Sequence, residues 1–283
     1  MNPKRHLSKC PPDACQAQYF LRGVFTDFPQ ILARWQADSA AARARLPCEP
    51  DLAYAEGELC RVDVFPAREP DGSMVVFLHG GYWQGGDKSD VSFIAAAFVE
   101  HGVSVAIPNY SLAPKASIDT MLAETRAAFE WLGVQAPRWS VDPARIVALG
   151  HSAGGQLAAM MLTDAWAPRL GGRPLVRHAF AISGLYDLRP LRHTVLNDAL
   201  GLSEESAARL SPVDHLQAHG LLHPVVGELE TREFHVQAAL AEASWPNVAP
   251  TLSVPCLHHY TILDPLVDPA SVLFGQILAA ARQ

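Results

Sequence analysis

Short, uninterrupted apolar runs punctuate the chain from residue 74 onward. "MVVFL" occupies 74–78, "VSVAIP" 103–108, "IVALG" 146–150, "AFAIS" 179–183, "HPVVG" 223–227 and "LSVPCLH" 252–258. Runs of this length between turn residues predict strands covered on both faces, since no position is left polar for water. Upstream, "ELCRVDVFPA" alternates in the manner of a half-buried strand. The segments between the runs change to a helical period. In "DTMLAETRAAFEWLG", Met121, Leu122, Phe129 and Leu132 share one face and Gly133 closes the pattern. "AGGQLAAMML", "FHVQAALAEA" and "SVLFGQILAAAR" read the same way, and residues 26–45 predict an earlier helix through Phe28, Ile31, Leu32 and Trp35. Strand and helix alternate to the end, which predicts an α/β fold with a mostly parallel sheet and helices on both faces. The expected organisation is one domain over 1–283. Residues 1–50 are an N-terminal decoration, and 184–222 an insertion over the active-site side.

Composition narrows the partners. Apolar residues make up 49% of the 283 positions and charged residues 18%, a balance that supports a sizeable core. A net charge of −7 disfavours nucleic acid and anionic membrane surfaces. The longest apolar tract, "VSFIAAAFVEHGVSVAIP", is broken by Glu100 and His101, so no membrane span is expected. Five cysteines, at 10, 15, 48, 60 and 256, form neither a CxxC pair nor a metal-ligand spacing with histidine. With no apolar signal segment in "MNPKRHLSKCPPDACQ", they predict thiols in a reducing, cytoplasmic setting. The expected partner is a small-molecule substrate, and a homodimer is an arrangement these features allow.

One segment carries the chemistry. Gly150-His151-Ser152-Ala153-Gly154 fits G-x-S-x-G between the run at 146–150 and an alanine-rich helix. That strand–turn–helix context gives the motif its weight, because a serine on a strained elbow leaves no room for side chains two positions away on either side. The bland alternative is a serine that only caps the helix. A serine hydroxyl also needs a base and an orienting acid, in the order acid then histidine after the serine. Glu228, Glu230 and Glu233 follow one late strand, and His258 and His259 close the last. Acyl transfer needs fixed donors for the developing oxyanion. The N–H of Ala153 is one, and Gly80 and Gly81 in "FLHGGYW" supply the other from an upstream strand end. A catalytic metal is not expected, since no H-x-x-E-H-like spacing occurs and His258 and His259 would point to opposite faces of a strand.

These residues resemble the α/β-hydrolases, and "HGGYW" is more specific than the H-G-G-G of many lipases and esterases. It resembles the kynurenine formamidase (arylformamidase) branch, which carries H-G-G-x-W. "PNYSLAP", "GHSAGGQLAAMML", "ISGLYDLRPL", "LNDALGLSEESAARLSP", "REFHVQAALAEA" and "HHYTILDPL" extend the likeness over roughly 17–280. The resemblance implies Ser152 as nucleophile, His259 as base, and Glu230 as acid where the branch has an aspartate. The added methylene leaves Glu228 as a rival. It also implies deformylation of an aryl formamide such as N-formylkynurenine without a cofactor, with Tyr82, Trp83 and Tyr186 as pocket aromatics. The same three aromatics could equally serve ordinary packing. A carboxylesterase for short acyl esters is the alternative activity. A non-catalytic binding protein reusing the pocket is expected to have lost the serine or the histidine, and both are present.

Overall fold

A computed structural model describes residues 9–163, 174–217 and 219–283; the first eight positions of the N-terminal decoration lie outside them. Eight strands form one sheet in the order β1-β2-β4-β3-β5-β6-β7-β8. They are β1 (Glu49–Ala53), β2 (Arg61–Phe65), β3 (Met74–Leu78), β4 (Ser104–Pro108), β5 (Ile146–His151), β6 (Val176–Ile182), β7 (Leu221–Gly227) and β8 (Leu252–Val254). The β1–β2 and β2–β4 pairings are antiparallel and the remaining pairings are parallel. Every residue of β3, β4 and β5 is buried. Side chains of a strand alternate between faces, so the sheet is covered on both.

The helices are α1 (Pro12–Tyr19), α2 (Leu21–Val24), α3 (Phe28–Arg45), α4 (Ala95–Glu100), α5 (Ile118–Gln135), α6 (Ala153–Met160), α7 (Asn197–Leu200), α8 (Glu204–Arg209), α9 (Arg232–Ser244) and α10 (Val272–Ala281). α4 and α10 meet through Phe98 and Phe274, whose ring centroids are 4.7 Å apart. α5 packs against α6. No single helix among the described residues is long and apolar enough to cross a membrane.

Several expectations need correction. The helix expected to close at Gly133 runs on to Gln135 with Gly133 buried inside it, and a 3-10 turn carrying Pro137 follows. The apolar run at 252–258 forms a strand only as far as Val254. Pro255 has no N–H for the ladder, and Cys256 turns with φ +61°. His258 and His259 therefore sit in a loop beyond the strand, not on its two faces. β1 was not legible because Pro50 and Asp51 interrupt it, as an edge strand tolerates. It also draws Glu49 and Pro50 of the expected decoration into the sheet.

Candidate active site

The parallel strands β3, β5, β6 and β7 end side by side, with Leu78 level with Gly150 and His151 level with Ile182. The loops leaving β3, β5 and β8 line a cavity of about 400 Å³, within the roughly 300–1,000 Å³ common for small-molecule sites. Ser152 stands on the turn between β5 and α6 with φ 56° and ψ −116°, a strained conformation for a residue with a Cβ. The geometry accounts for the flanking glycines. A Cβ on Gly150 would lie 2.0 Å from the Gly154 carbonyl oxygen, and one on Gly154 would lie 2.1 Å from that of Leu78. The Ser152 N–H donates to the Ile182 carbonyl at 2.8 Å, tying the turn to the next strand. Its side chain makes no cap hydrogen bond, so helix capping does not explain the serine.

His259 and Glu230 are brought together. His259 Nδ1 lies 2.8 Å from Glu230 Oε2, with both side chains almost wholly excluded from solvent. Glu230 is held from its other oxygen, Oε1, by the Ser183 hydroxyl at 2.6 Å and the Gly227 N–H at 2.9 Å. With both carboxylate oxygens accepting, the imidazole is fixed in place and donates through Nδ1. Ser183 itself sits at φ +50°. The competing carboxylates lie elsewhere. Glu228 is exposed and accepts from the Cys256 N–H at 2.9 Å, while Glu233 is buried against the Tyr19 hydroxyl. His258 stacks on Phe25 and lies 3.1 Å from Asp27 Oδ2, so it braces the N-terminal segment.

The loop after β3 faces the serine. A Cβ on Gly80 would fall 3.2 Å from the Ser152 Cβ. Gly81 has φ +114°, and a Cβ there would strike the Gly85 carbonyl oxygen at 2.1 Å. His79 Nδ1 donates to the Gly80 carbonyl at 2.8 Å, and the Tyr110 hydroxyl donates to the His79 carbonyl at 2.7 Å. With those carbonyls engaged, the N–H groups of Gly81 and Ala153 have no acceptor among the described residues. Burial pulls the His79 pKa down. Burial, and then the neighbouring His259, hold the His151 pKa well below the usual histidine value. Neutral His151 donates through Nε2 to the His259 carbonyl at 2.8 Å, bracing the backbone that carries the imidazole.

The expected pocket aromatics divide. Tyr82 lines the cavity, and its hydroxyl donates to the Tyr19 carbonyl at 2.6 Å. Trp83 and Tyr186 do not line it: each is buried in the core, filling space under the loops. The aromatic wall comes instead from the N-terminal decoration, through Phe20, Phe28 and Trp35, with Tyr260 packed on Phe28 at 4.3 Å between ring centroids. The 184–222 insertion adds only Val195 and Leu196. None of these aromatics carries a local motif; only the helical face of 26–45 hinted that Phe28 and Trp35 pack together.

The family model BD-FAE matches residues 63–173, the stretch from β2 through the elbow. Beyond it, the chain is 33% identical to a kynurenine formamidase of Danio rerio over 245 residues, covering 81% of this chain and 80% of that protein. The chain belongs to the kynurenine formamidase family. It is accordingly a serine hydrolase. A solved structure described as a thioesterase from Silicibacter sp. TM1040 superposes with a TM-score of 0.83 at 31% identity, covering 93% of this chain and 98% of that one. A shorter stretch of 105 residues is 36% identical to a carboxylesterase of Mycobacterium tuberculosis, covering 36% of this chain and 32% of that protein. The fold is that of the α/β-hydrolases.

Proposed function

We propose that the chain hydrolyses an aryl formamide, with N-formylkynurenine as the model substrate, to the arylamine and formate. The observation that carries this is the 2.8 Å hydrogen bond from His259 to the Glu230 carboxylate at the wall of the cavity that Ser152 lines. With Nδ1–H held by the carboxylate, His259 keeps an Nε2 lone pair to take the Ser152 proton. Ser152 Oγ adds to the formyl carbon, and charge gathers on the carbonyl oxygen. The N–H groups of Gly80, Gly81 and Ala153 meet that charge. When the C–N bond breaks, His259 passes its proton to the departing arylamine nitrogen and a formyl-serine remains. A water deprotonated by the same imidazole adds to the formyl carbon, formate leaves, and Ser152 regains its proton. Membership of the kynurenine formamidase family supports the formamide as substrate. The reading carries with it a role in tryptophan degradation and a cytoplasmic setting, supported by five cysteines of which none is in a disulfide.

Hydrolysis of short acyl esters is the second reading, favoured by the segment shared with a carboxylesterase. It uses the same residues in the same steps, with an alcohol leaving in place of the amine. Ser152→Ala and His259→Ala are each expected to lower the rate of kynurenine release from N-formylkynurenine by roughly 10³–10⁶-fold, as triad members act as a unit. A near-full rate in either variant rejects the serine route.

A further inference from the structure

Among the described residues the cavity wall holds one arginine and no lysine: Arg22, in α2. Its guanidinium lies 5.3 Å from the centroid of the Phe28 ring, another wall residue, and the residue is exposed to solvent. No carboxylate pairs with it among the described residues. Two carboxylates share the wall, and both are engaged elsewhere. Asp87 accepts from the Ser89 N–H and hydroxyl at 2.8 and 2.6 Å and from the Asn109 amide at 2.6 Å. Asp90 accepts from the Gln36 amide at 2.8 Å. Of the three wall histidines, His79 and His151 have their pKa values pulled down by burial, and His259 is bonded to Glu230. In a chain of net charge −7, which repels anions overall, a cation in the cavity wall with no carboxylate partner among the described residues is a local positive point for an anion.

We infer that Arg22 is a specificity-determining residue that binds a carboxylate carried by the aryl leaving group. The inference rests on the aryl-formamide reading and narrows it to aryl formamides with an anionic side chain. The chemistry is matched on two counts. A guanidinium presents paired N–H donors in the fork that a carboxylate accepts, and stacking on an aromatic ring fixes that fork before the substrate arrives. An aryl group resting among Phe20, Phe28, Trp35 and Tyr82 would have Arg22, on the Phe28 ring, beside it. A neutral aryl ester or formamide gains nothing from that cation.

The test compares kcat/KM for N-formylkynurenine and for its methyl ester, which keeps the formamide and the ring but loses the anion. The wild-type chain is expected to prefer the free acid by tenfold or more, through KM. In Arg22→Gln the preference falls to within about twofold, and in Arg22→Lys, which keeps the charge but not the fork, it is intermediate. Equal rates on both formamides in the wild type, or an undiminished preference in Arg22→Gln, overturn the assignment while leaving deformylation intact. A wild-type enzyme that leaves both formamides uncut while cleaving p-nitrophenyl acetate overturns the underlying aryl-formamide reading itself.

Discussion

Three carboxylates follow β7 within six residues, and only their environments separate them. Glu230 meets His259, Ser183 and the Gly227 N–H, whereas Glu228 meets a single backbone N–H in solvent. Glu230→Gln removes the charge that stabilises the imidazolium and lets the side chain present an amide hydrogen to Nδ1. It is expected to lower kcat for deformylation by about 10²–10⁴-fold, while Glu228→Gln stays within about twofold. Steady-state kinetics of the two variants decide it; a silent Glu230 change moves the acid elsewhere. At this scale the sequence was most legible where covalent geometry dictates the residue. Glycines at 150 and 154 are demanded by carbonyl oxygens about 2 Å from where a Cβ would be. Ser183 and His151 were not legible as supports, because their roles depend on which residues the sheet brings beside them. Trp83 and Tyr186 mislead for the same reason: an aromatic beside a motif looks the same in sequence whether it faces a cavity or the core.

The elements that hold the loop after β3 are tied together by charge as well as by packing. Lys88, just beyond that loop, is buried with its ammonium 2.8 Å from Asp63 on β2 and 2.7 Å from Asp51 on β1, and Asp63 also pairs with Arg43 of α3. Burial opposes the Lys88 charge, but the two carboxylates outweigh it and hold the pKa above the usual lysine value. Asp63 is fully buried, so Asp63→Asn would leave Lys88 and Arg43 short of a counter-charge in a desolvated place. The expected cost is about 3–5 kcal/mol, read from urea denaturation. A loss below about 1 kcal/mol would show that the cluster is dispensable. The element pattern was legible where burial is two-sided, as in β3, whose bounds match the apolar run at 74–78. It failed at the edges. In β1 every position is exposed or half-buried and a proline intervenes, so no apolar period marks it.

Across the whole molecule, the N-terminal segment is part of the site. Its aromatics roof the cavity, the Tyr82 hydroxyl reaches the Tyr19 carbonyl, and the Thr231 hydroxyl donates to the Gln18 carbonyl beside the Glu230 turn. No sequence motif could reveal this, because the contacts join residues more than 60 positions apart. Outside the residues that line the cavity, β6 and β7 carry a histidine pair, His178 Nδ1 and His223 Nε2 at 3.1 Å. Burial, with His178 alongside, pulls the His223 pKa from 6.5 down to about 4. Between those values the unfolded chain binds a proton that the folded chain refuses. Stability is therefore retained above pH 6.5 and lost as the pH falls toward 4. Thermal unfolding at pH 7.5, 5.5 and 4.5 should show a shallower acid loss in His223→Gln than in wild type, and parallel curves would contradict the assignment. The central claim is that this cavity deformylates an aryl amide through Ser152, and the most direct measurement is kcat/KM for N-formylkynurenine beside p-nitrophenyl butyrate on the same preparation. The account predicts a formamide value of at least about 10⁴ M⁻¹ s⁻¹, exceeding that for the ester and abolished in Ser152→Ala. Efficient ester cleavage with N-formylkynurenine left intact would contradict it.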